Sequence, residues 1–300
     1  MKILVVGGTG MIGGHAALHL CAQGNEVTVA GRHPPAPGTP LAELEFLRGD
    51  YIANDFLRED LARFEALVFA AGNDIRHVPK GESVEAHWHK ANVEGVPRFF
   101  ATARAAGIRT AVNIGSFYPQ AAPHLVAGNA YIRSRKLADE GIRALTGLDF
   151  RALSVNAPFV VGYVPGLGGM FQAYTRYALG QFAPMPEFAP PGGVNFISCQ
   201  SLSEAVAGAL ARGTGGHAYL VGDDNVSFGD FFGAFFRAAG RPAPPVLDQE
   251  HPMLPDSALY FGRGNTLYYE PDASETRLLG YRRHDVMRTI AELVAHYAKA

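Results

Sequence analysis

The apolar run Ile3-Leu4-Val5-Val6 ends directly on Gly7-Gly8-Thr9-Gly10-Met11-Ile12-Gly13, and a helix-periodic apolar segment, 11–23, begins inside that turn. A strand that turns into a helix through spaced glycines leaves few folds open. One glycine permits the tight turn, another lets the backbone approach a pyrophosphate, and a third lets the helix pack closely on the sheet. The helix N-terminus supplies N–H donors and positive dipole to the phosphates. A second strand-like run at 27–30 follows at the spacing of a βαβ unit. Roughly the first 35 residues therefore predict a dinucleotide-binding unit rather than a merely Gly-rich turn.

The alternation continues through the first half of the chain. Short apolar runs at 3–6, 27–30, 44–47, 67–70, 110–114 and 150–154 are interleaved with helix-period stretches at 11–23, 83–106 and 129–146. This pattern predicts an α/β fold, a Rossmann-type doubly wound parallel sheet covered by helices. The run His33-Pro34-Pro35-Ala36-Pro37-Gly38 can continue neither element and predicts a surface loop. After Val161, Pro, Gly and aromatic residues crowd the chain as far as Pro191-Gly192-Gly193, and 194–211 returns to a strand-then-helix pattern. Residues 223–300 hold a Phe-rich helix at 228–239, a Pro-rich loop at 242–255 and a last helix at 284–298. A nucleotide-binding domain is expected over 1–162, with 194–222 returning to it. A smaller C-terminal substrate-binding lobe is expected from 163–193 and 223–300.

Composition narrows the function. With 48% hydrophobic residues in 300, the chain can bury a large core. A formal net charge of -2 with mixed signs gives no electrostatic footing for nucleic acid or an anionic membrane surface. No stretch approaches ~20 apolar residues, so neither a membrane span nor an export signal is expected. Cys21 and Cys199 lack CxxC spacing, which speaks against a zinc cluster or a disulfide framework and fits a reducing cytoplasm.

At the end of the second strand an NAD site usually places Asp or Glu against the ribose 2′-hydroxyl. This chain has Gly31 there, followed by Arg32. A carboxylate would repel the 2′-phosphate of NADP, whereas a guanidinium can grip it through paired charge-assisted hydrogen bonds. Arg32 thus points to NADP (NADPH) as cofactor, with a solvated arginine beside NAD as the alternative.

Taken in order, the motifs resemble the extended branch of the short-chain dehydrogenase/reductase superfamily, the NAD-dependent epimerase/dehydratase family. The turn is similar to that branch's Gly-x-x-Gly-x-x-Gly, which implies cofactor contacts from Gly7, Thr9, Gly10, Met11, Ile12 and Gly13. Asp50 and Tyr51 resemble the adenine side of the site, Ala70-Ala71-Gly72 the segment beneath the cofactor, and Asn92-Val93-Glu94-Gly95 the family's Asn-Val-x-Gly helix. Ser116 and Tyr131 fall at its catalytic positions. The segment holding Pro158, Phe159 and Val160 is similar to the nicotinamide side of dihydroflavonol reductases and 3β-hydroxysteroid dehydrogenases.

Hydride transfer to a carbonyl leaves an oxyanion that must be protonated, and a tyrosine does this best when nearby positive charge lowers its pKa from about 10. On a helix, Tyr131, Ser134, Arg135 and Ala138 share one face. They fit the family's Tyr-x-x-Ser-Lys-x-x-Ala except that Arg135 stands where the family has lysine. Lys136 lies about 140° around the helix from Tyr131, against about 40° for position 135, so the role is not moved to it. Arg135 keeps the charge but stays protonated and cannot relay a proton. A working reductase with a changed relay, a slow enzyme and a cofactor-binding protein with little activity all remain open. Tyr118, close after Ser116, resembles a non-catalytic tyrosine common in the family.

His87 and His89 flank Trp88, but residues i and i+2 point to nearly opposite sides of a helix, so no metal is expected there. They are expected as polar flanks of a helix at a subunit contact, and the resemblance implies a homodimer. Asp74, Arg76 and His77 read as solvated loop residues. Between 157 and 211 the only Lys or Arg is Arg176, while Phe159, Tyr163, Phe171, Tyr174 and Tyr177 crowd the same stretch. A sugar-nucleotide diphosphate calls for cations, so a small hydrophobic, uncharged substrate is the expected partner, with core packing as the other use of those aromatics. The reading reached is an NADP(H)-dependent oxidoreductase in which Ser116 positions the oxygen, Tyr131 moves the proton and Arg135 supplies charge. Its competitors are an epimerase or dehydratase that recycles the dinucleotide, and a regulatory protein that only senses it.

Overall fold

Ile3, Leu4, Val5 and Val6 are all buried, Ile3 and Val5 in one apolar cluster, Leu4 and Val6 in another. A strand that is apolar on both faces needs cover on both, as in a parallel sheet between helices. The computed structural model describes residues 1–73 and 75–299; Asp74 lies outside them, as does the side chain of Arg76. In chain order the strands are β1 (Lys2–Val6), β2 (Glu26–Gly31), β3 (Glu45–Arg48), β4 (Ala66–Phe69), β5 (Thr110–Ser116), β6 (Arg151–Ala157), β7 (Phe159–Val161), β8 (Gly193–Ser198), β9 (Ala218–Leu220), β10 (Asp224–Ser227) and β11 (Thr266–Leu267). The helices are α1 (Met11–Ala22), α2 (Arg58–Leu61), α3 (Val84–Trp88), α4 (Val96–Ala105), α5 (Tyr118–Ala121), α6 (Ala130–Arg143), α7 (Met170–Ala178), α8 (Cys199–Arg212), α9 (Phe228–Ala238), α10 (Ala273–Leu279) and α11 (Val286–Tyr297). No described helix is long and apolar enough to cross a membrane.

The main sheet has seven strands in the order β3-β2-β1-β4-β5-β6-β9, and every neighbouring pair is parallel. This is the expected doubly wound α/β sheet. Ala17 and Leu20 of α1 join Leu202 and Val206 of α8 over Ile3 and Val5, while Phe99 of α4 and Ile142 of α6 pack over Leu4 and Val6. Strand order reverses between β1 and β4, and ligands of such sheets bind in the crevice beyond the strands' C-terminal ends at that reversal.

Three departures from the sequence reading have local causes. The helix expected over 83–106 is α3, a π-helical stretch His89–Gly95 and α4. Pro97 brings no N–H and its ring crowds the carbonyl four residues back, which the wider turn accommodates. Residues 194–198, expected with the nucleotide-binding domain, pair instead as β8 in a second sheet, antiparallel to β10 and parallel to β7 and β11. There Val194 and Phe196 join the aromatic cluster of α7 and α9, Phe196 stacking on Phe231 at 4.6 Å. Only from α8 onward does the chain lie on the main sheet again, with β9 at its edge. Helix α10 was not foreseen, although its signals are local: the Asp272 side chain accepts from the Ser274 and Glu275 N–H groups, and Gly280 closes the helix at φ 70°.

One fully buried and one partly buried histidine make the fold acid-sensitive. His251 is fully buried against Phe188, Phe232 and Tyr177, its Nδ1 accepting from the Met253 N–H at 3.1 Å, and burial lowers its pKa to about 4. His15, between α1 and α8 with Nδ1 2.9 Å from Ser203 Oγ, is lowered to about 4, chiefly by burial. Both pKa values lie below that of the unfolded chain, so the unfolded state takes up more protons between pH 6.5 and about 4. Their contribution to stability is therefore full above pH 6.5 and falls as pH drops through that window. Urea unfolding at pH 7.5 and pH 4.5 should show the decline, and His251→Gln, which keeps an acceptor for Met253, should remove about 1–2 kcal/mol of it.

Candidate active site

The glycine turn sets the site's position. Gly7 has φ +79°, and a Cβ there would stand 2.8 Å from the Ala70 backbone at the end of β4. A Cβ on Gly13 would stand 2.4 Å from the Gly7 carbonyl oxygen, so α1 presses directly on the turn. At Gly10, the N-cap of α1, a Cβ would meet only the Gly7 oxygen at 3.6 Å, and the turn faces open space. No side chain caps α1 and its first turn holds no acidic residue, so its leading N–H groups are left for an anion. These features fit a dinucleotide pyrophosphate.

Beyond the turn lies a cleft of about 860 Å³. It brings together Gly7, Thr9, Gly10, Met11, Ile12, Gly13, Arg32, Asp50, Tyr51, Ala70, Ala71, Gly72, Ser116, Tyr131, Arg135, Pro158, Phe159 and Val160. Asn92 stands apart. It is buried behind the wall in the π-helical stretch, donating to the Asn73 carbonyl at 3.3 Å and to Ser134 Oγ at 3.1 Å. Its place is a brace between that stretch and α6.

At the mouth, Arg32 is exposed and Gly31 leaves only 3.3 Å between a would-be Cβ and Thr9 Oγ1. The Asp50 carboxylate accepts from the Ile52 N–H at 2.9 Å. Tyr51 is buried, which pushes its hydroxyl above the ordinary tyrosine range, and accepts from Asn73 Nδ2 at 2.6 Å. Asn73 Oδ1 in turn accepts from His87 Nε2 at 3.0 Å, and His87 Nδ1 lies 3.3 Å from Glu82. His87 is buried while His89 is exposed beside Glu94, so the opposite-sides argument holds, but His87 is no surface flank. Asn73 and His87 were missed because only the folded chain puts them under Tyr51.

Helix α6 carries Tyr131 and Arg135, its N-terminus capped by Asn129, whose side chain accepts from the Ile132 N–H at 3.0 Å. Arg135 Nη1 donates to Tyr131 Oη at 3.0 Å, and Nη2 donates to the Ile114 carbonyl at 3.4 Å. Gly72 makes room for it: a Cβ there would come within 3.1 Å of both Nη atoms. Lys136 instead pairs with Glu140 on the surface. The Tyr131 ring is stacked on Tyr260 at 4.9 Å and met edge-on by Trp88 at 5.3 Å. Ser116, the last residue of β5, opens on the same space.

The far end of the cleft is lined by Met170, Phe171, Tyr174, Phe228, Met253 and Leu254. Arg32 and Arg135 are the only Lys or Arg among the described residues lining the cleft. Arg176 lies elsewhere, over the Phe182 ring at 5.1 Å. Of the aromatics expected to serve the substrate, Tyr177 is core: its Oη accepts from the Phe188 N–H at 2.7 Å deep in the lobe. Met253 and Leu254 come from the Pro-rich loop and Tyr260 from just beyond it, a stretch that carried no sequence signal for the site.

Comparison with known proteins bears on this geometry. The family described as NAD dependent epimerase/dehydratase matches residues 3–181. Over 120 residues the chain is 37% identical to a UDP-glucose 4-epimerase of Streptomyces lividans, a stretch that spans 37% of this chain and 34% of that one. Among solved structures, gox2253 superposes with a TM-score of 0.78 at 22% identity, covering 100% of this chain and 98% of that one. A UDP-glucose-4-epimerase of Stenotrophomonas maltophila, with bound NAD and formylated UDP-arabinopyranose, gives 0.77 at 18% identity, covering 100% and 98%.

Gly13→Ala tests the turn. The added methyl cannot fit against the Gly7 carbonyl without moving the turn, so affinity for reduced nicotinamide dinucleotide, read by fluorescence titration, should fall at least about tenfold while the far-UV circular dichroism spectrum is retained.

Proposed function

The chain belongs to the NAD dependent epimerase/dehydratase family, a family of nicotinamide dinucleotide enzymes, and from that membership we propose an NADP(H)-dependent oxidoreductase that interconverts a carbonyl and a secondary alcohol on a bulky, uncharged substrate. The observation that carries the reading is the Arg135–Tyr131 contact of 3.0 Å, set where the glycine-lined half of the cleft meets the apolar half.

When bound, the nicotinamide supplies or accepts the hydride. The protein's part is the oxygen and its proton. Ser116 holds the substrate oxygen by a hydrogen bond, and Tyr131 Oη gives it a proton in reduction or takes one in oxidation. Arg135 donates to the same Oη and stabilises tyrosinate by charge, but a guanidinium gives up no proton, so Tyr131 exchanges its proton with water in the cleft. The clamp of Tyr260 and Trp88 holds the Tyr131 ring against the rotation that would carry Oη out of reach. Arg32, after a strand end without a carboxylate, pairs with the 2′-phosphate and favours NADP over NAD.

Apolar lining and the absence of Lys or Arg at the far end, among the described residues, support an uncharged substrate. The likeness to UDP-sugar 4-epimerases favours a second reading, an epimerase that keeps its dinucleotide through the cycle. That enzyme would retain the cofactor on purification and show no net NADPH consumption.

Tyr131→Phe should lower kcat with a turned-over ketone at least about 100-fold and leave NADPH affinity unchanged; unchanged turnover would remove this site from the reaction. Arg32→Ala should weaken NADPH binding about 10-fold or more and leave NADH binding alone. Equal loss for both dinucleotides would overturn the NADP assignment.

A further inference from the structure

Tyr118 takes no part in the reaction as drawn, yet it lines the substrate end beside Ser116 and Tyr131. It opens α5 immediately after β5 and is 4% exposed. Its ring packs on Phe117 at 4.3 Å and meets Tyr260 edge-on at 5.4 Å. Tyr260 is the ring stacked on Tyr131, so a single ring separates the two tyrosines. The Tyr118 hydroxyl is buried; its oxygen can accept from the Tyr260 backbone N–H, but its own proton finds no acceptor among the described residues.

A buried donor left without an acceptor is costly, and native folds keep few of them unless another group uses them. Burial, with the neighbouring Tyr131 and Tyr260 hydroxyls adding to it, pushes Tyr118 well above the ordinary tyrosine range. The hydroxyl thus remains a protonated donor at neutral pH and is a poor competitor for the acid role. An anionic substituent is a poor match for it, because Arg135, the one Lys or Arg near it among the described lining residues, already donates to Tyr131 Oη and the Ile114 carbonyl.

We propose that Tyr118 donates its hydroxyl hydrogen to a second, uncharged oxygen of the substrate, which makes the substrate class a ketone or secondary alcohol bearing an ether, carbonyl or hydroxyl oxygen besides the reacting one. The assignment rests on the oxidoreductase reading of the same cleft. A site built to hydrogen-bond such an oxygen rejects an analogue that lacks it far more sharply than an apolar pocket distinguishes one methylene.

The test is calorimetric binding to the full-length protein saturated with NADP+, a complex in which a ketone cannot be reduced. The probes are 2-, 3- and 4-methoxycyclohexanone, each paired with the ethylcyclohexanone that puts CH2 in place of the ether oxygen. At least one methoxy ketone should bind about tenfold tighter than its ethyl partner. Tyr118→Phe should bring that ratio to near one while leaving the affinities for NADP+ and for the ethyl ketones as they were. Equal affinities within every pair, no measurable binding of any methoxy ketone, or a preference that survives Tyr118→Phe would each overturn the proposal. NADPH consumption with the same ketones is measured separately. Binding preference without turnover would count against the oxidoreductase reading and leave the donor role of Tyr118 standing.

Discussion

The cleft exists because the turn after β1 touches the end of β4 with no side chain between them. Cβ atoms at Gly7 and Gly13 would stand 2.8 Å from Ala70 and 2.4 Å from the Gly7 oxygen, distances that no larger residue can occupy without moving backbone. That contact carries the N-terminus of α1 to the reversal of strand order, where its unpaired N–H groups face the ligand crevice. The next glycine along the same floor, Gly72, lets the Arg135 guanidinium lie flat where a methyl would push it away. Close backbone approach thus fixes both the glycine-lined end of the cleft and the place of the Arg135 guanidinium.

Arg135 also shows what a change of one cation for another does. A planar guanidinium reaches Tyr131 Oη and the Ile114 carbonyl at once, so it is a more rigid donor than an ammonium on a flexible stem. In the proposed function that rigidity serves orientation and charge, while proton supply falls to cleft water. The cost is a relay that a lysine would offer and an arginine does not.

The second sheet and its aromatic helices are core and cavity wall together. Phe171, Tyr174 and Phe231 belong to the buried cluster and also line the cleft, and His251 packs into the same cluster two residues before Met253 at the wall. Acid that charges His251 therefore acts on packing that shapes the far end of the cleft. Tyr260 joins this lobe to the Rossmann half by stacking on Tyr131, so the position of the Tyr131 hydroxyl depends on both halves.

Features set by neighbours in the chain were legible in the sequence. Ile3 to Val6 declared a strand buried on both faces, the spaced glycines a tight turn, and Tyr131, Ser134 and Arg135 a common helical face, because each depends on steric rules acting within a few residues. The same local logic could have found α10 through Asp272 and Gly280. Only the folded chain settled that 194–198 join a second sheet, that Asn92 braces α6 from behind the wall, and that His87 and Asn73 stand beneath Tyr51. It also placed Met253 and Tyr260 at the cleft, more than a hundred residues from Tyr131. Those outcomes turn on which distant apolar surfaces and hydrogen-bonding groups satisfy one another, and the spacing of residues along one chain carries no trace of that choice.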